Sequence, residues 1–534
     1  MDALRPNRLT LPSSRAQATF LSQFSDFGIL ACFCGFLACP ARSRGSSPSM
    51  SKGTFMPSLT RGLRRASDLS ISQRRFLLVL VSIGSSIIYT PAYLKNVFYD
   101  PLKEAIGTSN AGVGELLGYY AITATVCYFP SGIVADKIRV RTLAWVGFTS
   151  TAMLTYLYAM LPSFAVLRFV FIGMGVTTIL IWWGIRFKLV RLISEEDTYS
   201  RNIGISYGLY GAAGLLVGFI SMKIIEWFAD SAAVGIQSLL IFLGTLILIL
   251  GILSFFFIPK FEGEIDPTKK SFDIRQIREA LRNPVVWISA ACLFCVYFFY
   301  TGVNYTTPYL KNVLLASAGV TSIVSILRTY GITLASGPVF GLLAKATGSP
   351  SKVIFGGSIV CAGGLFVFTI LPPEPGMVLL VAGVTIVLGF IANGVFGIVS
   401  SQLTEGKVPI PIFGTAAGIL SVIGFLPDTF SSTWFGKMID DQPKDAYAEI
   451  FLILAGFAVA AGVFALILLW YVRRTGKAER PDLPTAPEEV DSAPSEPTPA
   501  PSYEEAAEPA AAAKSAFDSK KGSGKGSAWS SHAE

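Results

Sequence analysis

Histidine is almost absent from this chain: the single copy, His532, lies close to the C-terminus. Imidazole therefore supplies no metal ligand and no proton shuttle to the body of the protein, and no metal or other cofactor is expected. Charge is scarce too, at 15% of residues, where a soluble chain carries about a quarter. No G-x-x-x-x-G-K-S/T loop is present, which argues against ATP-driven work. Nor do the apolar stretches hold a set of nucleophile, base and orienting group, so an enzyme is not expected. Of seven cysteines, Cys292 and Cys295 form a C-x-x-C, but inside the apolar run 288–299. There the pair reads as helix packing rather than redox or zinc chemistry.

Long apolar runs are what the chain does have. Hydrophobic residues make up 52% of it, and its mean hydropathy is +0.56. From Arg75 onward most runs are about twenty residues long, the length a helix needs to cross the hydrocarbon core of a bilayer. Twelve spans are expected, at roughly 76–98, 112–134, 142–161, 165–187, 203–227 and 234–258, then 285–309, 319–343, 352–371, 377–401, 412–436 and 447–471. The polar interval 259–283 divides them six and six.

A net charge of +8 does not point to nucleic acid, because the basic residues fall in loops between spans, where they report topology. One set of loops holds Lys137, Arg139, Arg141, Lys188, Arg191, Arg201, the basic interval 259–283, Lys345, Lys352 and Lys407. The opposite set has little beyond Lys103, Lys311 and Lys444. This bias places both termini in the cytoplasm. The expected organisation is an N-terminal extension over 1–74, mostly disordered, and a six-helix half over 75–259. A cytoplasmic linker over 260–283, a second half over 284–474 and a disordered tail over 475–534, rich in Pro, Ala, Glu and Ser, follow. The extension holds one apolar run, 27–39, too short to span. It reads either as a targeting segment or as an upstream extension ahead of a start at Met50.

One short stretch occurs twice. Tyr89-Thr90-Pro91-Ala92-Tyr93-Leu94-Lys95-Asn96-Val97 returns as Tyr305-Thr306-Thr307-Pro308-Tyr309-Leu310-Lys311-Asn312-Val313, identical at seven of nine positions. Downstream, Tyr120 matches Tyr330, Pro130 matches Pro338 and Ala135 matches Ala344. An offset of about two hundred residues is too long for a solenoid unit. It describes one half-protein written twice in the same direction, and parallel repeats of this kind build membrane transporters with the substrate site between the halves.

The loop after the second span reads Gly132-Ile-Val-Ala-Asp136-Lys137-Ile-Arg139-Val-Arg141. It resembles the major facilitator superfamily signature between spans two and three, G-x-L-A-D-R/K-x-G-R/K-R/K. Gly132, Ala135, Asp136, Lys137 and Arg141 fit, while Arg139 stands at the family's second glycine and Val140 at a basic position. The resemblance implies a gating latch in which Asp136, at a helix end, pairs with basic groups and a neighbouring helix N-terminus. Such a latch favours the outward-facing state and releases as the halves rock. Lys345 replaces the acid in the second half, so the latch is expected to be asymmetric.

Residues 89–102, 128–136, 178–183 and 414–428 are similar to the organophosphate:phosphate antiporter branch, and within it to poorly characterised bacterial permeases. In phosphate-carrying members, spans one and seven each place an arginine at mid-membrane. Here those positions fall near Gly84 or Ser85 and at or near Tyr300, and none is basic. That points away from phosphate esters and leaves the fold untouched.

Ionisable groups inside spans are costly and so are functional candidates. Arg328 lies about nine residues into the eighth span and Asp428 about eight residues from the end of the eleventh. At about 1.5 Å per residue both come out roughly 12–14 Å below the outer surface, so an Arg328–Asp428 pair is expected. Arg328 would hold a carboxylate in bidentate fashion, and Asp428 would take up a coupling proton. The competing reading is a fixed structural ion pair, or, for Asp428, local helix geometry after Pro427. Tyr120, Tyr330 and Tyr300 are candidate substrate contacts, against packing with one satisfied hydroxyl. Lys95 and Lys311 would attract anions at the outer vestibule or merely snorkel. Arg168, which opens the fourth span, is a thinner candidate.

The sequence thus predicts an all-α membrane protein of twelve transmembrane helices in two pseudo-symmetric halves, a monomer in lipid with no nucleic-acid partner. By alternating access it would move a small organic anion, such as a carboxylate or sugar acid, as a symporter or antiporter. The plasma (inner) membrane is expected rather than an organelle membrane. The alternatives are a phosphate ester or an inorganic, nitrate-like anion as substrate, and, in another class, a non-transporting nutrient receptor with a signalling tail.

Overall fold

The computed structural model describes residues 63–194, 196–265 and 274–478. The expectations for 1–62 and for the tail beyond 478 fall outside the described residues. Leu63–Arg64 (β1) pairs in parallel with Lys260–Phe261 (β2), Leu63 opposite Lys260. Arg65 closes this clasp on Glu262 at 2.6 Å. It is a small departure from an otherwise helical chain.

The first half runs α1 (Ile71–Ile87), α2 (Tyr99–Ile106), α3 (Asn110–Lys137), α4 (Val140–Ala159), α5 (Phe164–Leu192), α6 (Glu196–Trp227) and α7 (Ala232–Phe257). After α8 (Ile274–Arg282) the second half runs α9 (Pro284–Gly302), α10 (Thr306–Asn312), α11 (Ala318–Gly331), α12 (Thr333–Thr347) and α13 (Pro350–Ile370). It ends in α14 (Val378–Ile398), α15 (Ile410–Gly424), α16 (Pro427–Asp441) and α17 (Ala446–Ala478). Serine or asparagine caps many starts: Ser70, Ser109, Ser231, Asn283, Ser317 and Ser349 each accept a hydrogen bond from the first turn. Each satisfies an amide that the helix leaves without a partner. Ser70 forms a reciprocal box with Gln73, so α1 begins about a turn before the expected 76.

Among the described residues, eight helices are long and apolar enough to cross a membrane, and ten if each of two bent pairs counts as one crossing. The bends fall at Pro130 in α3, by 59°, and between α11 and α12, by 43°. The two remaining expected spans are also helical. However, α1 has only 17 residues, and the apolar character of α4 is diluted by Thr142, Thr149, Thr151, Thr155 and Ser150.

Among the described residues, buried apolar side chains fall into two clusters, one over 69–261 and one over 280–468, with Ile326 of the second half joining the first and Tyr330 packed against it. Each lobe therefore has a core of its own, as a repeated half-protein requires. The lobes correspond in packing as well, α4 lying on α7 as α13 lies on α17. Across the seam α3 meets α16, and α6 meets α11 and α12, the matching pair under the repeat.

Candidate functional site

The seam is sealed at one end. There Gly114 and Gly118 of α3 lie against the backbone of Ser432 and Thr429 in α16, and Gly436 lies against Asn110. Asp440 accepts from the Asn110 and Ala111 amides at 3.0 and 2.8 Å and from Asn110 Nδ2 at 2.7 Å. Asn312 of the second nine-residue copy donates to Asp100 at 3.3 Å, with Lys311 Nζ 3.9 Å from the same carboxylate. Toward the end that carries the basic loops the seam parts. A Cβ at Gly132, Gly204, Gly208, Gly337, Gly341 or Gly414 would meet open space.

Lys95 belongs to the seal and does not snorkel. It is buried, donates to Ser432 Oγ at 2.7 Å and lies over the Tyr305 ring. The void beside it, lined by Tyr93, Asn304, Asp428 and Ser431 among others, measures about 10 Å³, room for no more than a water.

Arg328 and Asp428 both reach the seam, but they do not pair. Arg328 sits in a π-helical turn, Leu327–Gly331, a geometry common at functional sites. Its Nη1 donates to the Val303 carbonyl at 2.9 Å, and its Nη2 to the Asn96 carbonyl at 2.8 Å and Thr329 Oγ1 at 3.3 Å. Val303 immediately follows α9 in one lobe and Asn96 lies in the first repeat copy in the other. One guanidinium thus fastens both lobes, leaving only its Nε without a partner. Asp428 accepts from Tyr297 at 2.7 Å and from Tyr93 at 3.3 Å, one tyrosine from each lobe. Equal depth along two helices does not fix which way their side chains turn.

Of the candidate tyrosines, Tyr120 is fully buried, hydrogen-bonded to Thr178 at 2.9 Å and edge-on to Tyr93. It belongs to the first lobe's core. Tyr300 stacks on Phe396 at 4.7 Å, its hydroxyl accepting from Asn393 at 3.4 Å. Tyr330 packs on Gly214 of α6 and remains partly exposed. Arg168 is taken up by Glu115 at 2.8 Å and by the Tyr119 and Phe164 rings. At the other phosphate-branch position, a side chain on Gly84 would run into the Phe148 ring, and Ser85 bonds back to Val81.

Sequence reasoning missed Arg186. It lies in the final helical segment of α5, with its guanidinium 4.4 Å from the Tyr207 ring centre and 5.2 Å from that of Tyr210. Cation–π contact of this kind holds a guanidinium without neutralising it. No carboxylate pairs with Arg186 among the described residues, and its Nη2 is buried with no hydrogen-bond partner. The signal in the sequence was an arginine inside an expected span, at position 186 of 165–187, too near its end to stand out from the basic loop.

The signature loop is built differently from the family pattern. Asp136 and Lys137 are exposed at the end of α3, and Arg141 lies over the Phe255 ring at 4.9 Å. The first amide of α4, Val140 N–H, donates to Glu264, which also stands 3.5 Å from Arg139. An acid from beyond α7 thus occupies a helix N-terminus, and Arg139, at the family's glycine position, is what it pairs with.

The chain is 27% identical over 417 residues to the inner membrane protein YqcE of Escherichia coli (strain K12), covering 76% of this chain and 97% of that one. It is 26% identical over 399 residues to the inner membrane protein YihN of the same strain, covering 74% and 94%. Its fold is similar to that of a bacterial homologue of the human lysosomal transporter Spinster, in an inward-facing, unoccupied conformation. The TM-score is 0.57 at 14% identity, over 77% of this chain and 98% of that one. The nucleoside transporter NupG gives 0.57 at 17%, over 74% and 99%. Residues 76–432 match the sequence pattern of the Major Facilitator Superfamily, and the chain belongs to that family, as a secondary transporter embedded in the membrane and not an enzyme.

Proposed function

We propose that this transporter moves a small organic anion, a carboxylate or sugar acid, across the inner membrane, with Arg186 as its principal contact. The observation that carries the reading is a guanidinium held between tyrosine rings, with no carboxylate paired to it among the described residues and one nitrogen buried without a partner. A buried donor left unpaired costs free energy, so the site favours a ligand that accepts from it. The charge at the seam points the same way, since neither Arg186 nor Arg328 has an ion-pair partner among the described residues. Tyr300, Tyr330 and Tyr120 border the path, the first two offering polar edges and the third fixing the wall. The absence of arginine at positions 84, 85 and 300 weighs against phosphate esters.

In this reading the basic end is cytoplasmic, so the seam is closed outward and open inward. Asp428 bridges the lobes through Tyr93 and Tyr297, and it serves as the coupling group, released when that contact opens. Asp136, Lys137 and Arg141 hold the inner latch in the opposite state. The test is uptake into proteoliposomes across a panel of carboxylates, sugar acids and phosphate esters, with and without a pH gradient. Replacing Arg186 by Gln removes a charged hydrogen bond worth about 1.5–3 kcal/mol. Anion uptake should lose about 10- to 150-fold in kcat/KM, partly restored in Arg186→Lys. Undiminished uptake in Arg186→Gln would refute the assignment.

A further inference from the structure

A groove of about 490 Å³ lies on the outside of the second lobe, away from the seam. Its walls are Lys352 and Phe355 from the first turns of α13, and Leu466, Leu469, Trp470 and Arg473 from the last turns of α17. Both cations stand at its basic-loop end, where Lys352 is exposed and donates to the Thr347 carbonyl at 3.3 Å. Neither Lys352 nor Arg473 has an ion-pair partner among the described residues. Glu405, which accepts from the Ser349 and Ser351 hydroxyls and the Ser351 amide, forms an ion pair with neither cation.

The chemistry changes along the groove. At one end are two unneutralised cations and Trp470, flanked by Arg474 over its ring at 5.2 Å, a combination that marks the membrane–water boundary. Below them Phe355, Leu466 and Leu469 offer only hydrocarbon. A free anion would use the cations and leave the apolar wall uncovered, whereas a protein segment would have to reach the groove through the acyl region. We infer that the groove binds one anionic phospholipid, with its phosphate and headgroup between Lys352 and Arg473 and an acyl chain on Phe355, Leu466 and Leu469. Each basic group near a membrane surface favours an anionic lipid by about 1 kcal/mol, or about fivefold in affinity.

The test is native mass spectrometry of the full-length protein, delipidated and titrated with phosphatidylglycerol or phosphatidylcholine of matched chains. The wild type should retain one phosphatidylglycerol in preference to phosphatidylcholine. Lys352→Gln and Arg473→Gln should each weaken it about fivefold, and the double variant about 25-fold, with phosphatidylcholine unaffected. The charge-keeping pair Lys352→Arg and Arg473→Lys should bind as the wild type does, which separates lost charge from a damaged fold. The proposal is overturned if the double variant keeps its phosphatidylglycerol, if the wild type shows no preference, or if inorganic phosphate displaces the lipid.

Discussion

The sealed end of the seam depends on two helices touching backbone to backbone, and Gly114 is where that contact is least forgiving. A Cβ added there would lie 2.2 Å from the Ser432 carbonyl oxygen and 2.6 Å from the Thr433 nitrogen. Neither obstacle is a flexible side-chain tip that could swing aside. Ordinary contact lies near about 3.5 Å, so α3 and α16 would have to part by on the order of 1 Å. Overpacking of this sort costs about 1–3 kcal/mol. The cost is levied only while the lobes are shut at this end, so Gly114→Ala should favour the opposite conformation by about 5- to 150-fold. A reporter is available in Ser431, buried at the seal. With Ser431→Cys as the sole cysteine, a membrane-impermeant maleimide applied to the face opposite the basic loops should react that much faster when Gly114→Ala is added. Gly383→Ala, where the new methyl meets nothing within 4 Å, should leave the rate unchanged. Equal labelling of the Gly114→Ala and parent proteins would show that this contact does not close the protein.

The same reporter separates the two arginines. Arg328→Gln, which loses the bonds to Asn96 and Val303, should speed Ser431→Cys labelling at least tenfold, since each charged bond is worth about 1.5–3 kcal/mol; Arg186→Gln should cut transport and leave labelling alone. Glu264→Ala strips the acceptor from Val140 N–H and the partner from Arg139, and should lower stability by about 1–3 kcal/mol in thermal melts followed by circular dichroism. An unchanged melting curve would refute that role for Glu264.

Much of the architecture was legible before any coordinates. The duplicated nine residues announce two lobes, and the apolar runs fall where the helices are, because both signals are carried by side-chain type alone. The site was legible only in part. Depth along a span is readable from residue number, yet it fixes one coordinate of three, and Arg328 and Asp428 turn to different partners at similar depth. The partners of Arg328 are main-chain carbonyls exposed where α9 gives way to a 3₁₀ turn, Val303–Tyr305, and where Leu94–Asn96 makes another. No residue pattern marks a carbonyl as available. The π-helical turns in α5 and at Leu327–Gly331 shift the side chains beyond them by a fraction of a turn, which an ideal period misses. Nothing in the sequence marks Tyr207 and Tyr210 as partners of Arg186, and only the fold shows them gripping it from the next helix.

The fastening made by Arg328 has an unusual inheritance. Its two acceptors outside its own helix are peptide oxygens, which every amino acid supplies, so exchanging Asn96 or Val303 for another residue leaves those acceptors in place. Only the arginine itself, or a shift in the path of the chain at either turn, can undo it. Random substitution therefore meets a closure that is vulnerable at one codon and protected at the other two. Homologues could diverge freely in sequence around those turns and still shut in the same way.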